Sequence, residues 1–98
     1  MRKIIFIYHT GYCGSDGIDA ATYHDDITDD ELHQDAWCGA IEHAERYGIY
    51  PESDRDLYEE EGAEIDDDDF SSNIEGYWED YNPKKHDMLK PGGGKWFD

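Results

Sequence analysis

The first apolar run along the chain is Ile4, Ile5, Phe6, Ile7 and Tyr8. Both alternating sets are apolar, the pattern of a strand covered on its two faces. It predicts an interior strand over residues 2–9, ending at Thr10-Gly11. The next segment, 10–17, holds three glycines in eight residues and reads as a tight loop. Residues 18–24 predict a second, weaker strand.

The longest periodic pattern lies at 29–47. Leu32, Ala36, Ala40, Ile41 and Ala44 recur at helical spacing and, with Trp37 and Tyr47, make one apolar stripe. Thr28 followed by Glu31 is a capping box, and Asp29, Asp30 and Glu31 crowd the first turn, where the helix dipole favours anions. Gly48 and Pro51 are the stop signals. A shorter helix is predicted over 54–61, capped by Ser53, ended by Gly62 and anchored by Leu57 and Tyr58. Four consecutive aspartates, Asp66 to Asp69, predict an exposed loop within 63–71. Residues 73–81 return to alternation, with Ile74, Gly76 and Trp78 against Glu75, Tyr77 and Glu79, and predict a strand broken by Asn82-Pro83. Trp96-Phe97 is expected to dock back after a Gly-rich stretch. The sum is an α+β fold, a small, mainly antiparallel sheet packed on one main helix, in a single domain over 1–98.

Charge changes the picture more than composition does. The chain has 26 Asp and Glu against 8 Lys and Arg, a formal net charge of −18 in 98 residues. Solubility in a small domain needs a net charge of only about 2–8. A folded reading survives the acidity because eight Tyr, three Trp and three Phe can build a compact core. The charge excludes direct binding to nucleic acid or an anionic membrane, and it steers the chain toward basic surfaces. No apolar stretch approaches the length of a membrane span, and Ile4 to Tyr8 is too short for a secretory h-region, so a cytosolic protein with reduced thiols is expected.

The densest acids are Glu52, Asp54, Asp56, Glu59, Glu60, Glu61, Glu64, Asp66, Asp67, Asp68 and Asp69, with Arg55 as the single base among them. Carboxylates four residues apart on a helix stand roughly 5–6 Å from each other. Asp56 with Glu60 and Glu31 with Asp35 have that spacing, which suits mimicry of a phosphate backbone. Tyr58, Phe70, Tyr77 and Trp78 are the candidate apolar anchors of such an interface. Reversing the charges of Glu59, Glu60, Asp67 and Asp68 is expected to cut binding and leave the fold intact. A homodimer would extend the acidic surface.

Other chemistries fit less well. A calcium loop beginning at Asp67 lacks Gly at its sixth position and Glu at its twelfth. Cys13, Cys38 and the five histidines have no zinc-ligand spacing, and no cofactor is expected. Gly11, Gly14 and Gly17 match no phosphate-loop pattern and lie beside Asp16 and Asp19. Cys13, in the loop after the first strand, with His9 and His24 near in sequence, makes a cysteine- or metal-dependent enzyme the alternative from a different class. A negative field opposes thiolate formation there. An acidic chaperone for basic proteins is the third reading.

In size, in the acids of 52–69 and in the acidic helix start Asp29 to Glu31, the chain resembles the small acidic inhibitors that bacteriophages and mobile elements use against restriction and CRISPR systems. That resemblance implies a non-enzymatic DNA mimic in the host cytoplasm. Its partner would be a CRISPR effector or restriction enzyme, engaged through a basic groove.

Overall fold

The structure is a computed structural model and describes residues 1–12, 14–90 and 92–97. Strands β1 (Arg2–His9), β2 (Gly17–Tyr23) and β5 (Glu75–Asp80) form an antiparallel sheet in the order β2-β1-β5. Helix α1 (Asp29–Glu45) follows β2. Between α1 and β5 come β3 (Tyr50–Pro51), a 3-10 turn at Glu52–Asp54, α2 (Arg55–Glu60), a second 3-10 turn at Asp67–Asp69 and β4 (Phe70–Ser71). Helix α3 (Pro83–His86) and a last 3-10 turn, Asp87–Leu89, follow β5. The fold is α+β.

β1 is apolar on both sides because it is the central strand. Ile4, Phe6 and Tyr8 point to α1, where they meet the buried Leu32, Ala36, Ala40 and Ala44. Ile5 is equally buried on the opposite face. There its ladder neighbour Glu79 is held by α3, and Phe97 packs against Tyr81 with Lys3 over its ring, so the C-terminal segment docks as expected. The alanine stripe has a steric purpose. Small residues let α1 approach the sheet closely, and Gly76 of β5 lies directly beneath Ala36.

The helix begins as its capping signals predict, with the Thr28 hydroxyl accepting from the Glu31 amide at 3.2 Å. It ends in a Schellman arrangement. Gly48 has φ +74°, the Ile49 amide donates to the Ala44 carbonyl and the Gly48 amide to that of Glu45. This stop leaves Tyr47 beyond the last helical turn. It is 56% exposed, against its predicted place in the apolar stripe, and only its ring edge meets His43.

Two further expectations are corrected. Ser53 does not cap α2, which begins one residue later. Asp54 holds the cap position with no side-chain bond, because the 3-10 turn before it already directs the chain into the helix. The strand predicted from residue 73 begins at Glu75, since the Asn73 amide is taken by the Ser71 hydroxyl. The segment 63–71 is mostly exposed as predicted, but it ends in β4, which pairs in parallel with β3 over two residues. Tyr50, Tyr58 and Phe70 pack there as a satellite aromatic cluster, with ring centroids 5.3–6.3 Å apart. The molecule is a slab of 43 × 30 × 17 Å.

Candidate functional site

The acids of α1 gather on its outer side by helical geometry. In α1 the buried face is Leu32, Ala36, Ala40 and Ala44, so the opposite face carries Glu31, Asp35, Cys38, Glu42 and Glu45, all exposed. These positions step by four, three, four and three, which draws an outward ridge about 21 Å long at 1.5 Å per residue. Tyrosine hydroxyls tie it down. Tyr23 donates to Asp35 at 2.9 Å and Tyr58 to Glu45 at 2.8 Å. Burial and then the bond to its carboxylate push each phenol's pKa well above the usual value, so both remain donors.

The Tyr58–Glu45 bond joins the ridge to the second acidic region. Asp54 at the start of α2, then Asp56, Glu59, Glu60 and Glu61, continue the negative surface, followed by Glu64 and Asp66 to Asp69 in the connection to β4. Sequence reasoning paired Glu31 with Asp35 and set them apart from 52–69. Glu42 and Glu45, which bridge the two, were missed. Their signal was present, since they continue the helical period from Glu31 and Asp35.

The one base in the region has an internal role. Arg55 pairs with Glu59 at 3.3 Å, with Glu52 at 3.4 Å and also with Asp67, while its guanidinium lies 4.8 Å over the Phe70 ring. It clamps α2 to the 3-10 turn of the aspartates and holds otherwise repelling carboxylates in place. Glu59 and Asp67 are thus both surface acids and fold contacts, so reversing their charge would disturb the segment as well as the surface. Glu60, Glu61, Glu64 and Asp68 are exposed and make no side-chain ion pair with a described residue.

The aromatic candidates divide. Tyr58 and Phe70 are half-buried in the satellite cluster and support the acidic surface from below. Trp78 is half-buried against the core, donates to His33 Nδ1 at 3.2 Å and lies 5.5 Å beneath the Arg2 guanidinium. Tyr77 is 47% exposed, but its ladder neighbour Ile7 places it on the sheet face away from α1. Leu57, 58% exposed on α2 among the acids, is the apolar side chain that the acidic surface does present.

Basic side chains of the C-terminal segment lie on the other face of the sheet. Lys85 and His86 meet Glu79 at 3.0 and 2.7 Å on the sheet face opposite α1, and Lys90 lies over Trp96, whose indole donates to the His86 carbonyl.

The enzyme alternative loses His24 as a partner of His9. β1 and β2 run antiparallel, with Arg2 opposite Tyr23 and Tyr8 opposite Gly17. His9 and His24 therefore stand at opposite ends of the sheet, about 26 Å apart over eight residues of strand rise. His9 is paired with Asp16 at 3.3 Å, and Cys13 lies outside the described residues. Among the described residues no three His, Cys, Asp or Glu side chains converge as a metal site would require, and no helix is long and apolar enough to cross a membrane. Comparison with protein families, with curated proteins and with solved structures finds no match to this chain.

Proposed function

We propose that the protein is an inhibitory binding protein. Its acidic side enters the basic groove of a nucleic-acid-processing complex, a CRISPR effector or a restriction enzyme, and keeps DNA or RNA out. The observation that carries this reading is charge per length. A 43 Å slab carries a formal −18, with its densest acids in one connected surface. Duplex DNA presents about one charge per 1.7 Å, or roughly 25 phosphates over that length. The carboxylates are held by tyrosine hydroxyls and by Arg55, so they meet a lysine- and arginine-lined groove with part of the ordering already done.

The test is displacement. A fluorescent duplex bound to a CRISPR effector or a restriction enzyme should be released by this protein, with a potency that falls as salt rises. The variant with Glu60, Glu61, Glu64 and Asp68 all changed to Lys should keep its fold and lose most of that potency. Failure of the unmodified protein to release the duplex from any such complex would falsify the reading, and equal potency of the variant would remove this surface from it.

A further inference from the structure

Between β2 and the C-terminal half of α1 the acidic ridge is interrupted by a cavity of about 200 Å³. Its walls include Tyr8, Asp19, Gly39, Glu42, His43 and Arg46. Gly39 makes room for the tip of Tyr8 at its wall. A Cβ there would stand 2.7 Å from Tyr8 Cζ and nearer still to the hydroxyl oxygen.

Tyr8 is the unusual member. It is only 8% exposed, yet its hydroxyl makes no hydrogen bond to a described residue. Every fully enclosed side-chain nitrogen or oxygen among the described residues does have a partner. The Tyr8 hydroxyl is therefore accessible, and Tyr8 lines the cavity, so the hydroxyl is free to bond water or an occupant there. Burial first, then the charges of Asp19 and Glu42, push the Tyr8 phenol up to about 12, so it is a neutral hydroxyl with lone pairs to offer. His43 is held at the wall by its Nε2, which donates to the Ser15 carbonyl at 2.6 Å.

The site is thus rich in acceptors. The carboxylates of Asp19 and Glu42 exclude an anion. A metal ion is disfavoured because no three ligands converge among the described residues. Arg46 also lines the cavity, without an ion pair to a described residue, so an incoming cation must outcompete it for Glu42 and for the oxygen of Asp19 that does not accept from the Ala20 amide. The aromatic walls, with Tyr8 and His43 centroids 5.8 Å apart, suit a planar delocalised cation better than a compact ammonium.

We propose that this cavity receives the guanidinium of an arginine side chain from the basic partner, with Asp19, Glu42 and the Tyr8 hydroxyl as its acceptors. The identity of the occupant rests on the inhibitory reading given above; the acceptor site itself does not. It makes the surface more than a diffuse field, because one partner side chain is registered against one point of the ridge.

The test uses the full-length, isotope-labelled protein with acetyl-Gly-Arg-Gly-amide as probe, acetyl-Gly-Lys-Gly-amide and putrescine as competitors, and sodium chloride at matched ionic strength. The arginine peptide should give saturable shifts at the Ile18, Gly39 and Glu42 amides. The lysine peptide should bind several-fold more weakly, and salt should give no local pattern. Tyr8→Phe, which removes one oxygen, should weaken the arginine peptide by about tenfold or more with the rest of the spectrum unchanged, as expected for a hydrogen bond to a charged group. Glu42→Gln should do the same. Non-saturating or dispersed shifts, an unaffected Tyr8→Phe protein, or tighter binding of putrescine would overturn the proposal. Duplex displacement by the Tyr8→Phe protein separates the two readings. Saturation by the peptide with no displacement by the unmodified protein would leave the site and remove the inhibitory function. Displacement that is unchanged by Tyr8→Phe, with no peptide saturation, would do the reverse.

Discussion

Gly76 of β5 lies against the backbone of Ala36 in α1, so close that a Cβ on Gly76 would stand 2.6 Å from the Ala36 carbonyl carbon and nearer still to its oxygen. The obstacle is main chain, which cannot rotate aside. Gly76→Ala should force the helix off the sheet and destabilise the fold by about 1–3 kcal/mol, the range for overpacked cores. Urea unfolding checks this, and a midpoint equal to that of the unmodified protein would contradict the close approach.

Arg55 links Glu52, Glu59 and Asp67 and covers Phe70. Arg55→Met should loosen residues 52–71 without unfolding the sheet. Amide hydrogen exchange should accelerate in that segment and stay unchanged in β1. The unmodified protein should move partway in the same direction at high salt, which screens exposed ion pairs. Equal exchange rates in both proteins would deny Arg55 its clamping role.

The docked C-terminal segment should respond to acid. The bond from His86 and then that from Lys85 hold Glu79 below its ordinary value of 4.5. A carboxylate with a depressed folded pKa stabilises fully above its unfolded value and loses that contribution as pH falls through the folded one. The segment should therefore release below about pH 4.5, read from the indole N–H resonance of Trp96, which donates to the His86 carbonyl. Glu79→Gln should flatten that acid-side response. A Trp96 resonance with the same acid dependence in both proteins would assign it elsewhere.

Alkaline titration tests the tyrosine anchors. Tyr8 and Tyr81 are pushed up to about 12, Tyr8 chiefly by burial and Tyr81 by its bond to Asp87, while Tyr23 and Tyr58 are raised further. Phenols whose folded pKa exceeds the unfolded 10.0 contribute stability below pH 10 and lose it as pH rises toward the folded values. Phenolate absorbance of the folded protein should show the anchors ionising above 10, with stability declining over pH 10–12. A single transition at 10 in the folded protein would show that these phenols are neither buried nor bonded as described.

The amino-acid sequence by itself determined the elements whose signals act within one turn or one strand. The capping box at Thr28, the stop at Gly48 and the alanine stripe specify α1 almost to the residue. The unbroken apolar run of β1 declares that both its faces are covered. It also determined the excess of negative charge. Tertiary structure alone decided where that charge lies. Glu42 and Glu45 join two acidic regions because α1 packs with its alanines inward and because Tyr58 arrives from a later helix. The parallel β3–β4 pair has two residues a side, too short for any periodicity to reveal. Sheet order sends His9 and His24 to opposite ends although they are near in sequence. The open hydroxyl of Tyr8 depends on a glycine 31 residues away. Such relationships follow from register and from which element is neighbour to which, and alternation along the chain does not encode either.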